Sequence, residues 1–196
     1  MDPSAVKNYY LYLHEYDPKD FLTMYLSPTS DKQLFYEIVI FPMKELQKLN
    51  ISGDVLIDFT TGPVILQLLP ICKNFNEFIV LEAKDSFIKE LEKWVKKEER
   101  GFDWNHLSQY FPELGSDWEK WLEKEEILRK RVKNVKKCDL DKANPTEPFV
   151  LEKVDCVLSA YVMQQLSKDK DSYLKNLKKI IFLHKSRRPS NIGWFI

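Results

Sequence analysis

The chain has 196 residues, 44% of them apolar and 31% charged, with a formal net charge of zero, the balance of one sizeable folded unit with its own core. A neutral chain of this kind does not announce a nucleic-acid or anionic-membrane partner, both of which call for basic excess. Its longest apolar runs, such as Ile38 to Met43, are far too short to span a bilayer. Residues Met1 to Asn8 carry no hydrophobic signal segment. Cys72, Cys138 and Cys156 are unclustered, which suggests buried, reduced thiols in a cytoplasmic protein. His14, His106 and His184 are scattered, so no metal site is visible.

Residues 1–50 read as a helical cap. The start is rich in rings: Tyr9, Tyr10, Tyr12, Tyr16, Phe21 and Tyr25. Asp17-Pro18 predicts a helix start, with Asp as N-cap and Pro at the first helical position. Ser30 to Gln33 matches a capping box. The next helix is expected to bury Leu34, Phe35, Ile38, Phe41, Leu46 and Leu49, with Pro42 kinking or dividing it.

Residues 51–196 read as an α/β unit. Gly53 to Phe59 predicts a buried strand whose Val55-Leu56-Ile57 run is continuously apolar, as in a parallel sheet covered on both faces. Thr60-Thr61-Gly62 makes the turn, and Pro63 fits the first turn of a helix over about 62–70. The second strand is Phe78 to Glu82. Asp85 is expected to cap a helix with Ile88, Leu91, Trp94 and Val95 inward and Gly101 as its stop. Asp103 caps a short helix that Pro112 and Gly115 end. A longer helix turns Trp118, Trp121, Leu122, Leu128, Val132 and Val135 inward; the basic half of that helix reads as a solvated face. Val135 to Leu140 predicts a third strand, Val154 to Ser159 a fourth, and about 169–183 a helix with Tyr173, Leu174, Leu177, Ile180 and Ile181 on one side. His184 to Ser190 breaks the pattern, and Gly193 to Ile196 begins a stub of a fifth strand.

Three predicted strands end on acids: Asp58, Glu82 and Asp139. Strand–helix alternation gathers such ends on one sheet edge, where nucleotide-like ligands bind. Glu82 follows Asp58 by 24 residues, near the roughly 20-residue interval at which an acid meets a ribose diol. Two carboxylate oxygens suit two neighbouring hydroxyls. Any one of these acids taken alone reads as a helix cap or turn acid; three together point to a ligand. The turn lacks G-x-G-x-x-G, so a pyrophosphate, and with it NAD, is disfavoured. A nucleoside without phosphate, such as S-adenosylmethionine, fits better. Methyl transfer from a sulfonium is an in-line displacement that depends on positioning, so the lack of a nucleophile motif does not count against it.

Several stretches together resemble one family: Asp17 to Leu22, Gly53 to Asp58, Gly62-Pro63, Gln67-Leu68-Leu69, Glu90 to Glu98, Phe102-Asp103-Trp104, Glu123 to Glu126, Lys137-Cys138-Asp139 and Asp155 to Ser159. They are similar to the small-molecule N-methyltransferases typified by the nicotinamide enzymes, with indolethylamine (thioether) and phenylethanolamine methyltransferases as relatives. The resemblance implies a Rossmann-like class I methyltransferase sheet of order 3-2-1-4-5-7-6, here with strands 1–4 present and strands 5–7 largely missing, as in a C-terminally truncated member. It implies S-adenosylmethionine as cofactor and a small amine, such as nicotinamide, as substrate. The cofactor-binding positions it implies are Phe21, Tyr25, Thr60, Thr61, Gly62, Glu82, Asp139, Leu140 and Ala160; no catalytic residue is assigned. Glu82 falls on the family's ribose-binding acid and Asp139 on the adenine side. Phe21 and Leu26 replace two cofactor-closing tyrosines, Leu66 replaces a third, Phe87 replaces an asparagine, and Thr60 replaces a glycine. A β-branched residue at 60 fits poorly if the turn needs positive φ there. Two functions follow: a small-amine N-methyltransferase, or a non-catalytic paralogue acting as a binding or interaction protein, with dimerisation through the edge of the fourth strand.

Overall fold

The computed structural model describes residues 7, 11–98, 102–110, 114–115, 120–185 and 194–195, the last two as backbone. Five strands, β1 (Gly53–Thr60), β2 (Phe75–Glu82), β3 (Val132–Lys137), β4 (Cys156–Ala160) and β5 (Trp194–Phe195), lie in the order β3-β2-β1-β4-β5. Every pairing is parallel. This is the Rossmann-like sheet that the apolar strands predict. Leu56, Ile57, Phe59, Phe78, Leu81 and Leu158 are buried, which requires cover on both faces and explains why these strands read as continuous rather than alternating.

Before β1 the chain forms a π-turn over Leu11–Glu15, α1 (Pro18–Leu26), α2 (Lys32–Phe35), a second π-turn over Tyr36–Ile40 and α3 (Phe41–Lys48). Asp17 caps α1 as expected, its carboxylate accepting the Lys19 N–H at 2.8 Å. The capping box at Ser30 does not form: Asp31 is the cap of α2 and takes the Leu34 N–H at 2.9 Å. Pro42 divides the helix rather than ending it, because it sits in the first turn of α3, where a missing N–H costs nothing. The extra residue of the π-turn rotates the apolar face. Val39, Ile40 and Met43 are therefore buried, while Phe41 and Leu49 are exposed, contrary to the even helical spacing.

After β1 no helix starts at Pro63. Gly62 takes φ +78° and the Val64 N–H donates back to the Gly62 carbonyl at 2.8 Å, closing a turn too tight for a helix. The chain regains order only as a 3₁₀ helix over Leu66–Ile71, which contains Pro70. Next, α4 (Asp85–Lys96) is preceded by Lys84 at its N-cap, so Asp85 is not the cap. Its stop is Lys97 in the left-handed region at φ 59°, with the Glu98 N–H bonded to the Lys93 carbonyl at 3.0 Å. Gly101 lies outside the described residues, as do Tyr9, Tyr10, Phe111, Pro112, Trp118 and Gly193.

Asp103 accepts the Asn105 N–H at 2.9 Å and opens the 3₁₀ helix Asn105–Tyr110. Helix α5 (Trp121–Arg131) runs straight into β3, so Val132 and Val135 are strand residues and β3 starts earlier than predicted. Leu122 is exposed. The basic end of α5 is structural: the Arg131 guanidinium donates to the carbonyls of Cys72 at 2.9 Å and Phe75 at 2.7 Å. Arg129 stacks over the Trp94 ring at 4.0 Å and pairs with Glu125.

After β4 come α6 (Val162–Gln165) and α7 (Lys170–Ile181), which Asp169 and Ser172 open with a reciprocal capping box. Ile180 and Asn176 are buried, whereas Leu174 and Ile181 are exposed. His184, expected in a polar break, is buried and bridges Val154 in parallel. At the far end of β4, Trp194–Phe195 pairs with Ser159 and Ala160, the predicted stub of a fifth strand.

Asp155 ties these pieces together. One carboxylate oxygen accepts the Asp54 N–H at 2.9 Å and the Val55 N–H at 3.1 Å, and the other accepts Lys185 Nζ at 2.9 Å. Replacing Asp155 with Ala strands two backbone donors of β1 and should lower the unfolding free energy by about 1–2 kcal/mol. Urea denaturation checks this; an unchanged midpoint would show that water replaces the latch.

Candidate functional site

The parallel register brings Thr60 beside Ala160 and Glu82 beside Lys137 at the C-terminal edge of the sheet. The turn after β1 is built from its own carboxylate. Asp58 is buried, and accepts Thr60 Oγ1 at 2.7 Å on one oxygen and Gln67 Nε2 at 3.0 Å on the other. Burial pushes its carboxyl up to about 7, against the opposing pull of those two donors. Thr60 is thus a partner for Asp58 rather than an intruder. The expected backbone strain at 60 does not arise, because the residue completes β1 and the positive φ falls on Gly62. Thr61 follows, and its N–H donates to the Ala160 carbonyl at 3.0 Å.

Gly62 is required twice over. Its φ is +78°, and a Cβ there would stand 2.3 Å from Phe21 Cε1. Phe21 therefore rests on the glycine itself. Its ring lies 5.3 Å from that of Phe87 and 4.8 Å from that of Tyr25. Leu26, Leu66 and Phe87 are each fully buried. The Tyr25 hydroxyl reaches that of Tyr16 at 3.4 Å, and burial followed by this contact raises its pKa to about 12. The turn is packed with rings contributed by the chain's own N-terminal segment.

Glu82, at the end of β2, is 1% exposed. The Tyr12 hydroxyl lies 3.1 Å from both carboxylate oxygens and itself accepts the Gly62 N–H at 3.0 Å. The Lys84 N–H donates to Glu82 Oε1 at 2.9 Å. Burial is the dominant influence and lifts the Glu82 carboxyl to about 7, although the donors and Lys137 oppose it. Tyr12, equally buried, has its own pKa raised, first by burial and then by the Glu82 charge.

Asp139 and Leu140 stand slightly apart. They help line a cleft of about 510 Å³ with Leu13, His14, Ala83, Lys84, Asp85, Lys137 and Leu166. Phe21, Tyr25, the 60–62 turn and Ala160 do not line it. The Asp139 carboxylate accepts the Asp141 N–H at 3.0 Å, and its backbone N–H donates to the Pro145 carbonyl at 2.7 Å. The sequence singled out neither Tyr12 nor Tyr161 as a site residue. Tyr161 follows Ala160 with φ 61°, and its hydroxyl donates to the Glu37 carbonyl at 3.2 Å. Tyr12 sits inside the aromatic run that the sequence displays; nothing local marked which ring would reach the sheet. Among the described residues no group of His, Cys, Asp or Glu is arranged to hold a metal ion, and no helix is long and apolar enough to cross a membrane.

A buried acid closing β2, a Gly-Pro turn after β1 and the 3-2-1-4-5 order are the geometry of a class of small-molecule methyltransferases, and the NNMT/PNMT/TEMT family matches residues 5–186. The chain belongs to this family. It is 38% identical over 178 residues to indolethylamine N-methyltransferase of Mus musculus, covering 89% of this chain and 67% of that protein. It is 36% identical over 173 residues to nicotinamide N-methyltransferase of Homo sapiens, covering 86% and 66%. Phenylethanolamine N-methyltransferase of Mus musculus is 36% identical over 136 residues, or 68% of this chain and 46% of that protein. The chain thus spans about two thirds of the length of the first two relatives.

Both raised carboxyls carry a stability consequence. Asp58 and Glu82 hold their protons in the folded protein to about pH 7, whereas the unfolded chain releases them nearer the ordinary carboxylate range. The folded state is therefore favoured at low pH and loses stability as pH rises toward 7. The melting temperature should increase between pH 7.5 and pH 5.5, and Glu82→Gln should flatten that rise. A wild-type melting temperature that falls over this interval would contradict the burial of these two groups.

Proposed function

We propose that this chain is a non-catalytic relative of the small-amine N-methyltransferases, a cytoplasmic binding protein that keeps the S-adenosylmethionine scaffold without turning the cofactor over. In this reading residues 1–50 are a helical cap seated on residues 51–196, and the two form one structural unit. The observation that carries it is Phe21, packed on Gly62 and against Phe87, at the turn to which the family resemblance assigns the methionine part of the cofactor. When bound, S-adenosylmethionine supplies a sulfonium methyl group for in-line transfer to an amine. The residues present do not fit it as they stand. Phe21, Leu26, Leu66 and Phe87 cannot hydrogen-bond through their side chains, and the Glu82 carboxylate is already engaged by Tyr12. Each missing partner removes about 0.5–1.5 kcal/mol, so four together weaken binding by orders of magnitude.

The other reading, an active N-methyltransferase of a small amine such as nicotinamide, is favoured by one observation. Glu82 closes β2 and Asp139 follows β3, the positions given above for the ribose and adenine contacts. Calorimetric titration with S-adenosylmethionine and its demethylated product separates the two. The expected dissociation constant is weaker than about 100 μM; tighter binding supports the enzyme. Phe21→Tyr combined with Phe87→Asn should tighten binding about tenfold or more, the effect of two regained hydrogen bonds. Pairing of two copies through an exposed sheet edge belongs to the non-catalytic reading. β5 covers β4 at Ser159 and Ala160, so the fourth strand is not that edge. Light scattering checks the pairing: a strictly monomeric solution would remove that part.

A further inference from the structure

Resting on that reading, the geometry points to Tyr12 as an internal competitor for a nucleoside: its hydroxyl occupies the Glu82 carboxylate where the 2′,3′-diol of a ribose would bind. Two neighbouring hydroxyls are best received by one carboxylate whose two oxygens are both free to accept. Glu82 offers such a group at the end of a parallel strand, the ligand edge of this fold, but both oxygens are 3.1 Å from one phenolic hydroxyl. The single O–H proton is shared between two acceptors and the Lys84 N–H adds one donor on Oε1, so the carboxylate keeps acceptor capacity that its occupant does not fill. The same hydroxyl accepts the Gly62 N–H at 3.0 Å, which a departing Tyr12 would hand to an incoming ligand.

Tyr12 sits on an element suited to leave. The turn Leu11–Glu15 is closed by the Tyr16 N–H reaching the Leu11 carbonyl at 3.2 Å, a π-type turn of the kind that recurs at functional sites. Besides Glu82 and Gly62, the buried Tyr12 meets the Phe87 ring edge-on at 5.7 Å, the Lys84 ammonium reaches the Tyr16 carbonyl, and the Tyr16 ring packs on Phe21 and Tyr25. Leu13 and His14 of the same turn line the cleft that Asp139 and Leu140 share. Movement of this one turn therefore frees the diol acceptor and widens the neighbouring cleft together. The Tyr12 hydroxyl is thus a ligand mimic supplied by the protein, and nucleoside binding and turn closure are mutually exclusive.

The test uses the full chain with adenosine and 2′-deoxyadenosine as probes. Tyr12→Phe should bind adenosine about fivefold tighter than the unaltered chain, the factor carried by about one net hydrogen bond. Its affinity for 2′-deoxyadenosine, which lacks the diol, should change by less than about twofold. Hydrogen exchange on the unaltered chain gives an independent reading: adenosine should accelerate exchange of the amides in residues 11–16. Equal adenosine affinities for the two proteins, no adenosine binding by either at millimolar concentration, or slowed exchange in residues 11–16 would each overturn the proposal, the last because it marks a lid that closes over the ligand. Tight S-adenosylmethionine binding by the unaltered chain would overturn the non-catalytic reading alone, since the ratio between Tyr12→Phe and the unaltered chain stays measurable.

Discussion

The structure depends on a carboxylate that forms no ion pair among the described residues. Glu82 ends β2 almost fully out of water, beside Val80, Leu81 and Ala83. A buried carboxyl without partners is costly and responds by holding its proton. Here the Tyr12 hydroxyl and the Lys84 N–H supply the missing donors. One of those donors comes from the residue that opens α4, and the other from a segment seventy positions earlier in the chain. The acid thereby fixes both the start of a crossover helix and the seating of the N-terminal turn. Asp58 repeats the solution one strand over, with Thr60 and Gln67 as donors. Two neighbouring strands of a parallel sheet thus carry neutralisable acids near their C-terminal ends, Glu82 as the last residue of β2 and Asp58 two residues before the end of β1, each with donors from within the chain.

The sheet, Gly62 and the Asp155 latch retain what the fold needs. Around the Gly62 turn Phe21, Tyr25, Phe87 and Tyr12 meet one another by edge and tilted ring contacts. Such packing stabilises a closed turn because the apolar area that a ligand would cover is covered by the protein. The Thr60 hydroxyl adds a donor for Asp58 at the same turn.

Much of this was legible beforehand. The continuous apolar runs at 55–57 and 78–81 announced a parallel sheet, because only strands covered on both faces are written that way. Asp17 and Asp103 announced helix starts, because an N-cap works through bonds to residues two or three positions on. The misreadings share a cause. Gly62-Pro63 looks like a helix start until the φ of +78° at Gly62 is known. Phe41 and Leu49 fall on an apolar face only if the helix is regular, and the π-turn over Tyr36–Ile40 shifts the face by one residue. Leu174 and Ile181 lie on the expected apolar stripe yet are exposed, while Ile180 of the same stripe is buried. Asp85 and Lys84 are rivals for one cap, and Glu82 settled the matter by taking the Lys84 N–H.

By itself the sequence determined the α/β class and the acids near the strand ends, because these are written in short-range pattern and spacing, while the family and the strand order came from the resemblance of its motifs. Only the tertiary structure decided which donor meets each acid. The reach of Tyr12 to Glu82 and Gly62 crosses the whole helical cap, and among several tyrosines in one aromatic run no local rule selects the ring that arrives. Buried hydrogen bonds are assigned by proximity in space, and that proximity is set by the packing of α1 and the N-terminal turn against the sheet rather than by any spacing along the chain.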